Sequence, residues 1–123
     1  MTSPVAGIDP HQHSITVAVV NGNGIEIGHD TFCATAARYL ETIEFLNAQS
    51  VREVGIEGSA SWGAHAAIAL SAAGFDCREV PTQRSAAQRR ARRTNKTDAL
   101  DAVAAARELL AEPTLGPVQT LEV

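Results

Sequence analysis

Four acidic residues stand out by type and spacing in a chain of 123 residues: Asp9, Glu57, Asp98 and Asp101. Asp98 and Asp101 are three apart where a helix is expected to start, so they share one of its faces, and the positive end of the helix dipole offsets part of their repulsion. Asp9 closes the short apolar run Val5 to Ile8, and Glu57 closes the stretch that begins at Val51; both stretches read as strands, the second as a buried one. Strand ends are where open α/β sheets gather ligand-binding groups. Four carboxylates converging on one cleft would raise one another's pKa values unless cations neutralised them. Hard oxygen donors suit Mg²⁺ or Mn²⁺, and two such ions about 4 Å apart can stabilise the attacking and leaving oxygens of phosphoryl transfer. Each acid taken singly has an ordinary explanation: Asp98 and Asp101 as first-turn helix residues, Asp9 before Pro10 as a turn residue, Glu57 before Gly58 as a strand end. Their combination carries the expectation of phosphodiester chemistry.

The elements that must position these acids follow from periodicity and turn signals. Ser14 to Val20 alternates Ile15, Val17 and Val19 as a strand does, Asn21-Gly22-Asn23-Gly24 is a hairpin signal, and Ile25 to Phe32 reads as a third strand. Thr35 to Ala48 spaces Tyr39, Leu40, Ile43 and Leu46 as a helix. After the strand ending at Glu57, an alanine-rich helix capped by Ser61 runs to about Ala73, Gly74 stops it, and Asp76 to Val80 is a further strand. Ser85 to Arg93 reads as a basic helix, and Thr97 to Leu110 as the last one. The expected fold is α/β: a three-stranded meander followed by βα units in a mixed sheet, the order of an RNase H-like fold. Residues 1–112 form the expected domain, and 113–123, with Pro113, Gly116 and Pro117, have linker composition.

Charge is segregated along the chain. The net charge is −4, yet six of the ten basic residues, Arg84, Arg89, Arg90, Arg92, Arg93 and Lys96, fall in a stretch without an acid, leaving four against fourteen acids elsewhere. A charge run is ordinarily a solvated face. Here the arginines cover two sides of a helical turn just upstream of Asp98, which favours contact with phosphates over a single salt-bridged stripe. The expected partner is therefore anionic, a nucleic acid. No apolar run reaches the roughly 20 residues of a membrane span and no signal-peptide pattern opens the chain, so the expectation is cytoplasmic.

The remaining chemistry-bearing residues have plainer readings. Cys33 and Cys77 suit reduced thiols in a core. His11 and His13 would flank one face of a strand as an HxH pair, but nothing completes a zinc-like set, and loop histidines in solvent are the favoured reading. Ser59 and Ser61 serve as helix caps, and Trp62 as a packing residue.

The segments GIDPHQHSITVAVV, VGIEGSASWG and NKTDALDA, with CREVPTQRSAAQRRARRT between the last two, resemble the N-terminal DEDD domain of the insertion-sequence 110 family of transposases. The sharpest piece is Lys96-Thr97-Asp98-Ala99-Leu100-Asp101-Ala102, similar to that family's Lys-Thr-Asp-x-x-Asp-Ala motif. The resemblance implies a RuvC-like fold and Mg²⁺ held by Asp9, Glu57, Asp98 and Asp101. It further implies a recombinase guided by a structured bridge RNA, with a catalytic serine in a C-terminal domain beyond this chain; self-association into a homo-oligomer is also expected. One departure is the segment Pro10-His11-Gln12-His13, where the family pattern leads one to expect a lysine. Two other functions compete. A fragment of an actin-like or sugar-kinase-like ATPase would share the Gly-Ile-Asp followed by a hairpin, though the loop lacks the Gly-Thr or Ser-Thr of a phosphate contact. A non-catalytic nucleic-acid-binding module would need the arginines alone.

Overall fold

The computed structural model describes residues 3–35, 38–58, 62–81, 98–112 and 115–118, with residues 98 and 99 described by their backbone only. Five strands form one sheet: β1 (Val5–Pro10), β2 (Ser14–Val20), β3 (Glu26–Cys33), β4 (Glu53–Glu57) and β5 (Asp76–Val80). Their order across the sheet is β3-β2-β1-β4-β5. The first three pair antiparallel as a meander, whereas β1 with β4 and β4 with β5 pair parallel through helical crossovers. The mixed sheet expected from the sequence is thus the one observed.

Three helices cover it: α1 (Tyr39–Ala48), α2 (Ala64–Ala72) and α3 (Asp98–Ala111). Alternation along the strands divides the core into two layers. Ile8, Ile15, Val17, Val54 and Ile56 point to the side of α1 and α2, where they meet Leu46 and Leu70. Val5, Ala18, Val20 and Val80 point to the other side, against Ala102, Ala105, Ala106 and Leu109 of α3.

Several element ends differ from the sequence reading for local reasons. β1 continues through Asp9 and Pro10 because both pair with β2, at Thr16 and Ile15. α1 starts at Tyr39 and α2 at Ala64; the residue preceding α2 is Gly63, without a side-chain cap. Gly63 sits there because its donor N–H reaches the carbonyl of Gly58 at 3.0 Å, and a Cβ would meet that same carbonyl and Ile56 Cγ2 at 2.9 Å. Trp62 is not a packing residue: it is 63% exposed, since the tight closure of Gly58 on Gly63 turns it outward. Cys33 is likewise exposed, on the edge strand β3, while Cys77 is buried and both thiols are free. Ser59, Ser61 and the basic stretch from Arg84 to Lys96, with its expected helix, lie outside the described residues.

Residues 115–118 run along β5. Glu79 donates its backbone N–H to Gly116 at 2.9 Å, Val118 donates to Cys77 at 3.1 Å, and Arg78 bridges to Pro117. The Arg78 guanidinium also donates to the Leu115 carbonyl at 2.9 Å and to Asp76 at 2.9 and 3.0 Å. Among the described residues no helix is long and apolar enough to cross a membrane.

Candidate active site

The position of the acids begins with two glycines. A Cβ on Gly7 would lie 2.0 Å from the carbonyl oxygen of Ala102 and 2.4 Å from the backbone nitrogen of Ala106, so only glycine lets α3 lie backbone against backbone on β1. Gly55 repeats the arrangement on β4, with Ala105 O at 3.2 Å and Leu109 Cβ at 3.4 Å from the same virtual atom. Small residues on both partners bring helix and sheet this close.

The direction of α3 follows from its other end. Arg107 donates from Nε to the Gly24 carbonyl at 2.7 Å, in the turn that joins β2 to β3. That turn lies beside the start of β1, because Val5 pairs with Val20. The C-terminal half of α3 therefore sits at the beginning of β1, and its N-terminal turn, with Asp98 and Asp101, sits at the end of β1. Asp101 immediately precedes Ala102, whose carbonyl faces Gly7, and its Oδ1 is enclosed.

Asp9 and Glu57 are each two residues beyond these glycines, so both point to the α3 side of the sheet. They occupy neighbouring parallel strands immediately past the last paired residues, Ile8 and Ile56. The sequence carries this symmetry openly as Gly7-Ile8-Asp9 and Gly55-Ile56-Glu57, a repeated triplet whose glycine seats the helix and whose acid enters the cleft. Reading the acids without their glycines missed that signal. After Glu57 the chain leaves the sheet at Gly58, which has a φ of 68° and donates its N–H to Glu79 Oε2 at 3.2 Å.

Asp9, Glu57 and Asp101 thus share one face and one end of the sheet, and the backbone of Asp98 lies there too. Among the described residues no three His, Cys, Asp or Glu side chains stand close enough together to form a complete cation cage. Mg²⁺ does not need one, since it is ordinarily held by one or two carboxylates with waters and substrate phosphates. The donor set, carboxylate oxygens on two strands and a helix start, fits such a hard cation.

The histidines divide. Both lie in the turn between β1 and β2 and not on a strand, so they form no HxH face; His13 is exposed. His11 donates its backbone N–H to Ser14 at 2.8 Å, and its Nε2 approaches Asp9 Oδ2 at 3.1 Å. The Asp9 side chain is 13% exposed and that of His11 31%. Solvated-loop chemistry does not describe His11, and the sequence offered only its proximity to Asp9 as a hint. On the same face, Thr16 pairs with Asp9 and is buried, and its hydroxyl is 3.2 Å from that of Thr31 on β3.

Comparison with known proteins adds three findings. A family model for DEDD transposases of the insertion-sequence 110 type, described as "Transposase", matches residues 6–122. No curated protein matches the chain. Among solved structures, RuvC of T. thermophilus in complex with a Holliday junction substrate superposes with a TM-score of 0.65 at 15% identity, covering 94% of this chain and 99% of that one. A second Thermus thermophilus RuvC structure gives a TM-score of 0.64 at 15% identity, over 93% and 99% of the two chains. Likeness at this identity establishes a shared RNase H-like fold.

Proposed function

Because the chain belongs to the DEDD transposase family of insertion sequence 110, we propose that it is the domain that binds Mg²⁺ or Mn²⁺ for phosphodiester chemistry in DNA transposition, through Asp9, Glu57, Asp98 and Asp101. The observation that carries this reading is the pairing of Asp9 and Glu57 at adjacent strand ends on the face where α3 begins. A bound cation would supply charge to polarise a phosphate oxygen and stabilise the attacking or leaving oxygen. The residues of the chain do the positioning. Gly7 and Gly55 fix α3 on the sheet, β1 and β4 hold two carboxylates side by side, and the helix start brings Asp101 toward them. The shared face excludes water from beneath the acids, where Thr16 and the alanines of α3 are buried.

The substrate is DNA in this reading. The RuvC relative of the same fold is seen with a Holliday junction, and the six basic residues between Arg84 and Lys96 supply phosphate contacts without base readout. A structured guide RNA and assembly into a homo-oligomer belong to the same proposal, as does a nucleophilic serine in a second domain reached through residues 113–123. Family membership displaces the ATPase-fragment reading; the non-catalytic module is separated from ours by metal binding.

Calorimetry with Mn²⁺ and Mg²⁺ on wild type and on Asp9→Asn tests the acidic site, with binding expected in the first and lost in the second. Equal affinities would remove the acids from any cation site. Replacing Arg89, Arg90, Arg92 and Arg93 by Gln should weaken binding to unrelated DNA sequences alike and flatten its salt dependence; unchanged binding would make the arginines a solvated face.

A further inference from the structure

Trp62 is the single tryptophan of the chain, and it stands in solvent, 63% exposed. Tryptophan is ordinarily well buried, because its ring removes more apolar surface from water than almost any other side chain. At this exposure at least one face of the indole is open. Its place in the fold is set by the backbone. Gly63, the next residue, donates its N–H to the Gly58 carbonyl at 3.0 Å, and a Cβ on Gly63 would stand 3.1 Å from the carbonyl oxygen of Glu57. Through these contacts the Cα atoms of Trp62 and Glu57 are no more than about 11 Å apart. The surroundings suit an anionic ligand. Between Glu57 and Asp76 the chain carries no acid, and α2 has none in its first turn. The described residues that follow Trp62, namely Gly63, Ala64 and the exposed His65, supply none of the apolar surround of a protein hot spot.

We propose that Trp62 is a stacking platform for one unpaired base of the DNA strand whose phosphates reach the acidic corner. This role rests on the reading of the domain as DNA-binding. In a duplex the base faces are hidden in the stack, so only a base freed from pairing can lie on the indole. The contact is indifferent to sequence, since every base has a π-face. At the 3.4 Å rise per nucleotide of one strand, a base held there lies within about three nucleotides of Glu57. The platform therefore sets where along the strand the acids act.

With one tryptophan in the chain, intrinsic fluorescence reports on the platform directly. The probes are a short oligothymidylate and an abasic strand of the same length and charge, with affinity read from the anisotropy of a dye on each strand. Oligothymidylate should quench the Trp62 emission, whereas the abasic strand should bind without quenching it. Trp62→Ala should weaken oligothymidylate binding about fivefold or more and change abasic-strand binding by less than about twofold. Circular dichroism verifies that the variant is folded, and Trp62→Phe, whose smaller ring should give an intermediate affinity, repeats the comparison if it is not. Equal oligothymidylate affinity in wild type and Trp62→Ala, or equal quenching by the two strands, would overturn the proposal and leave DNA binding standing. An equal loss of affinity for both strands in Trp62→Ala would mean that the turn holds phosphates and not a base, and would overturn it as well. Wild type that binds neither strand at low salt would instead bring down the DNA-binding reading itself.

Discussion

The two faces of the sheet are packed by different means. Toward α1 and α2, full-sized side chains such as Ile8, Ile56, Leu46 and Leu70 interdigitate, and the helices stand off from the strands by the thickness of those chains. Toward α3, contact is between backbones: glycine on the strands, alanine on the helix, and nowhere for a Cβ at position 7. The first kind of packing stabilises by volume and tolerates adjustment, because side chains can repack when a neighbour changes. The second fixes register, since a carbonyl pressed on a glycine has no rotamer to yield. The acids sit on the second face, where Asp101 is tied to Asp9 and Glu57 through a contact that cannot slide.

The largest effect should come from breaking that contact. Gly7→Val places a branched side chain where even a Cβ would overlap the Ala102 carbonyl, and the loss should be about 3 kcal/mol or more, with cation binding lost as well. Urea denaturation measures the first and Mn²⁺ calorimetry the second; a variant as stable as wild type would mean that α3 is seated by something other than the glycine.

Leu46→Ala probes the opposite face. The side chain is fully buried, so removing it should cost about 3 kcal/mol of stability, the middle of the range for such cavities. Mn²⁺ affinity at 25 °C should stay within about twofold of wild type in the fraction that remains folded, because register on the α3 face is untouched. A matching loss of metal affinity would show that the two faces are not separable.

How far this division could be read from the sequence varies by element. β2 and β5 end where alternation and flanking turns put them, because their side chains decide both. β1 runs past its apolar stretch, since pairing of Asp9 and Pro10 with β2 is a backbone matter that hydropathy does not register. Trp62 turned out exposed and α2 is preceded by Gly63 without a side-chain cap, both because the chain closes through Gly58 and Gly63. The acids were visible as types and spacings. What placed them was the absence of side chains at positions 7 and 55, which gives no signal in a hydrophobic pattern.

The smallest effect sharpens the contrast by pH. Burial, reinforced by the negative charge of Asp76, pushes the Cys77 thiol from 9.0 to about 11, a hydrogen bond with Ser71 opposing it. The folded state then keeps a proton that the unfolded chain releases, so this contribution to stability is intact below pH 9 and declines as pH rises toward 11. The difference between wild type and Cys77→Ala in urea titrations across that interval isolates it. No pH-dependent difference would mean that the α1 and α2 side admits water at Cys77. At pH 8, a thiol reagent should modify the exposed Cys33 and spare Cys77 in the folded protein.

A sheet ordinarily has two raw margins, and here the protein finishes one of them itself: Gly116, Pro117 and Val118 occupy the outer rim of β5. Among the described residues the other margin is β3, eight residues long. That asymmetry governs the arithmetic of assembly. A molecule with two open rims can recruit neighbours without end, as fibres do, whereas one with a single open rim can join another only once, rim to rim, and then has nothing left to offer. Among the described residues β3 is the long rim open to strand pairing, and a substitution that lifts residues 115–118 away from β5 would lay bare a second.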